Sequence, residues 1–116
     1  MAKVTGIGGV FFRATDPDAL AAWYQTHLGI AAGYSPWATE AGPTVFAPFR
    51  ADSDYFPASQ QTMLNLRVDD LAGLITDLRA KGIAVETRAE WDGEYGTFAR
   101  IHDPDGHAIE LWQPPA

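Results

Sequence analysis

Two stretches of this chain repeat one pattern, and the repeat limits the fold more than any other feature. Residues 8–33 read "GGVFFRATDPDALAAWYQTHLGIAAG", and residues 62–86 read "TMLNLRVDDLAGLITDLRAKGIAVE". Each has an alternating apolar run, an Asp, a helical stripe, then Gly-Ile opening an extended stretch. Asp16 matches Asp70, and Gly29-Ile30 matches Gly82-Ile83. A period of about half the chain, occurring twice, implies two similar halves sharing one core. A solenoid needs three or more units.

The pattern predicts two helices. The first is capped by Thr15 or Asp16, has Pro17 in its first turn and Asp18 at the positive end of its dipole. Leu20, Trp23, Tyr24 and Leu28 share a face, and Gly29 supplies the left-handed stop. The second starts at Asp69 or Asp70, buries Leu71, Leu74, Ile75 and Leu78, and stops at Gly82. Extended segments should follow at 30–34, 44–49, 83–88, 96–102 and 107–112, with Pro48 making 44–49 an edge or ending it. Asp103-Pro104-Asp105-Gly106 is a turn signal that joins the last two as a hairpin. Each half therefore reads as strand, helix, then about three strands. The expected division is one domain over 1–116, with a first module of about 4–50, a polar linker at 51–61 and a second module of about 62–114.

Composition narrows the function classes. At 116 residues there is room for one modest core. The absence of cysteine excludes disulfides and thiolate metal sites. No run approaches the about 20 apolar residues of a membrane span, and residues 1–9 lack a signal-like apolar block, so a cytoplasmic protein is expected. A net charge of −7 argues against nucleic acid and mildly favours a neutral or cationic ligand.

"DPDALAAWYQTHLGI" and "IHDPDGHAIELW", placed in two such halves, resemble the vicinal oxygen chelate superfamily: glyoxalase I, extradiol dioxygenases and bleomycin-resistance binding proteins. The resemblance covers nearly the whole chain. It implies an α+β fold, two βαβββ modules forming a cupped mixed sheet with helices outside, and often a homodimer. Metal-dependent relatives hold a divalent ion on the cup-facing sides of their strands. The resemblance puts ligand positions seven residues before each capping Asp, which here are Gly9 and Met63. It puts others on the last strand of each half; residues 44–49 offer neither carboxylate nor imidazole, and only Glu110 matches. One carboxylate falls short of the about three protein ligands of a catalytic site.

Three histidines are the other donors. His27, near the end of the first helix, is expected on the surface, and His107, beside the turn, in solvent. His102 would face the cup if a bulge shifts the hairpin register.

Alternation sorts the strands. Val10, Phe12 and Ala14 should pack on a helix, leaving Gly9, Phe11 and Arg13 inward. Leu64, Leu66 and Val68 should pack, leaving Met63, Asn65 and Arg67 inward. On the last strand, whose register follows the family position of Glu110, Ala108, Glu110 and Trp112 face the cup. The expected pocket is apolar with sparse polar groups: Phe11, Arg13, Phe46, Met63, Asn65, Glu110 and Trp112. Either Arg13 or Arg100 would neutralise Glu110 if these residues only fill a core. Tyr55, Phe56, Trp91 and Tyr95 would close the mouth or form a dimer interface.

Two functions fit. One is a metal-free binding protein of the bleomycin-resistance type, holding an apolar or aromatic small molecule. The other is a glyoxalase-like lyase or extradiol-type dioxygenase with one divalent cation, Glu110 being its retained ligand. A metal-free enzyme using Glu110 as acid or base is a third possibility.

Overall fold

The computed structural model describes residues 2–116. Two helices, α1 (Pro17–Leu28) and α2 (Leu71–Ala80), pack on one face of a small mixed sheet. The sheet holds β1 (Leu64–Arg67), β2 (Thr97–His102) and β3 (Ala108–Gln113), in the order β1-β3-β2. β1 runs parallel to the central β3, and β2 runs antiparallel to it.

Both helices start on the same device. Asp16 accepts from the Ala19 N–H at 3.2 Å, and Asp70 accepts from the Gly73 N–H at 3.0 Å. Both end on a glycine of positive φ, Gly29 at 66° and Gly82 at 80°. The following isoleucine amide then donates back into the helix, Ile30 to Tyr24 and Ile83 to Leu78. Between the helices and the sheet lies a core of Leu20, Leu71, Leu78, Ile101, Ile109 and Leu111. Ala14, Leu66 and Val68 pack against it as alternation assigns, whereas Val10 is 53% exposed and Phe12, 49% exposed, reaches only the edge of Tyr24.

The β2–β3 hairpin turns on Asp103. Its buried carboxylate accepts from the Asp105 and His107 amides at 3.0 Å each. The same carboxylate takes the Tyr24 hydroxyl and His107 Nδ1, each at 2.7 Å, so one side chain ties the turn to α1. His107 is therefore held by Asp103, with Phe12 edge-on at 5.7 Å, and only part of its side chain meets the solvent that its place beside a turn suggested. His27 is partly exposed in the last turn of α1. It leans on Trp23 at 5.4 Å, with Nδ1 buried and unpartnered.

The main departure from the repeat is in the first half. Among the described residues, none before Leu64 joins a β-ladder. Residues 30–34 and 44–49 run without strand partners, and Phe11 and Phe46 are 91% and 88% exposed. A strand exists only where a neighbour satisfies its N–H and C=O groups, and the first half has no such neighbour among the described residues. Among residues 83–88, only Glu86 pairs, as a bridge to Arg100.

Candidate functional site

Three side chains form a row across the open face of the sheet. Asn65, Glu110 and Arg100 are direct register partners on β1, β3 and β2. Glu110 is 8% exposed on a strand otherwise filled by Ile109, Leu111 and Trp112. Each of its oxygens accepts one hydrogen bond. The Asn65 Nδ2 donates to Oε1 at 2.7 Å, and the Tyr55 hydroxyl donates to Oε2. Burial of the phenol, reinforced by its bond to Glu110, pushes the Tyr55 pKa up to about 12.

Arg100 makes no ion pair with Glu110 among the described residues, although the two sit opposite each other. Its guanidinium lies over Tyr55, 4.8 Å from the ring centre, and 5.6 Å from the centre of Trp91. Its Nη2 contacts the Met63 sulfur at 3.7 Å, a weak acceptor, and its Nε is buried without a partner. Arg88, tied to Glu86 at 2.6 Å, covers Trp91 at 5.1 Å.

An aromatic wall continues this face. Phe98 and Trp112, paired in register, stack at 10° with centres 6.3 Å apart. Trp112 Nε1 donates to the Tyr95 carbonyl at 2.8 Å. Gly96 makes that approach feasible: its φ is +121°, and a Cβ there would lie 2.2 Å from the Gln113 carbonyl oxygen. Beside the row, Tyr55, Phe56, Pro57 and Arg100 bound a cleft of about 520 Å³, with Asp52 and Asp54 on its rim.

The residues expected to line the cup separate into two groups. Met63, Asn65, Glu110 and Trp112 gather on this face, and Phe11 and Phe46 point into solvent away from it. Arg13 is exposed and lines a shallower cleft of about 340 Å³ with Thr15, Asp105 and His107. Arg67 holds the loop before residue 44, donating to the Glu40 and Pro43 carbonyls at 2.7 and 3.1 Å. His102 needs no bulge to share the face of Arg100. The ladder is regular from Thr97↔Gln113 to His102↔Ala108, and parity alone puts it there, exposed. Tyr55 as the partner of Glu110 was not legible, because a polar linker has no periodicity. Arg100 on the Glu110 face was legible, because Ala99 and Ile101 are the helix-facing residues of β2.

The family model for a glyoxalase-like domain matches residues 9–112. The chain belongs to that family. This glyoxalase-like protein also has relatives among solved structures. An antibiotic-binding protein, TnmS3 from Streptomyces sp. CB03234, is 25% identical, with 99% of this chain and 100% of that one covered at a TM-score of 0.61. Lactoylglutathione lyase from Agrobacterium tumefaciens is 24% identical, covering 97% and 96% at a TM-score of 0.63, a likeness of fold. These matches place the glyoxalase-like chain in the vicinal oxygen chelate superfamily. Comparison with curated proteins found no match.

The residues at the ligand positions of this glyoxalase-like chain do not suit a divalent ion. Gly9 offers no donor, and Met63 offers a thioether already facing Arg100. Both oxygens of Glu110 are engaged by protein donors. Among the described residues, no three His, Asp or Glu side chains cluster closely enough to hold a metal.

Proposed function

We propose that this glyoxalase-like protein binds an apolar or aromatic small molecule in its cup without a metal ion, acting in the cytoplasm. The observation that carries the reading is the state of Glu110. The one carboxylate at a family ligand position is held by Tyr55 and Asn65, beside an aromatic wall. Sparse, fixed polar groups on an apolar surface suit recognition of a small ligand. The likeness to an antibiotic-binding protein supports the same class of ligand.

The binding unit in this reading is a homodimer in which the first module, about 4–50, is completed by a second copy. The chain exposes 8803 Å², against about 6,200 Å² for a compact monomer of its mass. The excess, roughly 2,600 Å² per chain, is on the scale that large obligate interfaces bury. Pairing of the linker-separated halves (first module about 4–50, second about 62–114) would give the two βαβββ units of the repeat the partners they lack.

Elemental analysis of the untagged protein, with calorimetric titration of nickel, manganese, zinc and iron(II), tests the metal-free reading. A thermal-shift screen of flat aromatic compounds in chelator, with Glu110→Ala as control, tests binding. A chelator-resistant rise in Tm that the control loses is the expected result. About one bound ion per cup, with turnover, would instead establish the divalent-metal glyoxalase-like lyase or extradiol-type dioxygenase.

A further inference from the structure

The least satisfied group on the open face of the sheet is the guanidinium of Arg100. A guanidinium carries five N–H donors in a planar fork and no acceptor. Here one nitrogen meets a methionine sulfur at 3.7 Å, and Nε is buried with no acceptor at all. The carboxylate opposite it in register, Glu110, is bound instead by Tyr55 and Asn65. The Tyr55 and Trp91 rings both lie against the guanidinium, which restricts its direction before anything binds. A buried donor without an acceptor is costly, and a cleft that Arg100 helps to line adjoins it.

We propose that the ligand of this cup carries a carboxylate on a flat conjugated ring, and that Arg100 is the residue that selects it. The inference rests on the small-molecule-binding reading above and adds the ligand's charge and shape. Two carboxylate oxygens match the fork of the guanidinium bidentately, a pairing stronger than neutral hydrogen bonds. The ring would lie against Tyr55 and Phe56, which line the same cleft as Arg100. The acidic rim does not oppose this arrangement. Asp52 is paired with Arg50 at 2.9 Å, and Asp54 is exposed, where the high dielectric of water weakens its field at short range and salt screens it beyond about 10 Å. The net charge of −7 acts over longer distances still and is screened in the same way. The unmet donors of Arg100 act at contact, without intervening solvent.

The experiment compares three probes of one shape on the full chain: 2-naphthoate, 2-naphthamide and 2-naphthylmethylammonium. Calorimetry and tryptophan fluorescence report binding. The expected result is that naphthoate binds at least about tenfold tighter than the amide, the amount a charge-assisted bidentate pair contributes, with the ammonium weakest. Arg100→Met should remove that preference, and Arg100→Lys, which keeps the charge without the fork, should restore only part of it. Circular dichroism shows whether each variant is folded, and the wild-type comparison stands without them. Equal binding of acid and amide, tighter binding of the ammonium, or an acid preference that survives Arg100→Met would overturn the assignment of Arg100 and leave small-molecule binding intact. Failure of all three probes to bind at millimolar concentration would overturn both.

Discussion

Gln60 pairs with Ala108 as a neighbouring strand would. Its Nε2 donates to the Ala108 carbonyl at 3.0 Å, and its Oε1 accepts from the Ala108 amide at 2.9 Å. The same Nε2 also reaches the Thr62 carbonyl at 2.9 Å. One side-chain amide thus satisfies the buried start of β3 and fixes the linker that delivers Tyr55 to Glu110.

Gln60→Ala should cost about 2 kcal/mol, because it leaves a buried amide and carbonyl of Ala108 without partners. Urea unfolding measures the loss. Hydrogen exchange should localise it, with the Ala108 amide losing protection.

Asp103→Ala should cost more, at least about 3 kcal/mol, since it strands the Tyr24 hydroxyl, His107 Nδ1 and two turn amides at once. Tyr24→Phe removes one of those bonds and should cost about 1 kcal/mol by the same measurement. Equal losses for the two variants would mean that the turn amides find other partners.

Tyr55 should ionise near pH 12, followed as tyrosinate absorbance in the difference between the wild type and Tyr55→Phe. A folded pKa above the unfolded value near 10 means that the native state holds the proton longer. The stability it contributes is complete below pH 10 and is lost as pH rises from 10 to 12. Glu110→Gln removes the acceptor carboxylate but not the burial, which is the larger cause, so the Tyr55 pKa should fall and remain above 10. A value unchanged in that variant would disconnect the two residues.

Light scattering should give the mass of two chains at micromolar concentration. Phe11→Arg with Phe46→Arg should shift the protein to monomer, since both rings lie on the exposed first half, far from the core around Leu78. A monomeric wild type with the same Tm at every concentration would contradict the dimer.

Much of the fold was legible locally. The Asp16 and Asp70 caps, the glycine stops and the Asp103–Gly106 turn are interactions within six residues, and they form as the pattern predicts. Parity along β1, and along β3 once the family position of Glu110 set its phase, likewise put Asn65, Glu110 and Trp112 on one face, because side chains alternate in any strand. The first half was read less well. Residues 30–34 and 44–49 have extended patterns, but a pattern supplies only half of a ladder.

The sequence by itself determined where the helices start and stop, where the last hairpin turns, and that a carboxylate would sit in an apolar strand. Only the tertiary structure decided what that carboxylate meets. Tyr55 lies 55 residues away in a linker without periodicity, and Asn65 is 45 residues away on a parallel neighbour. The partner of a buried charge depends on which distant segments cross above it, and no local rule encodes that choice. The same long-range choice separated Arg100 from its register partner Glu110 and left its buried Nε without a partner.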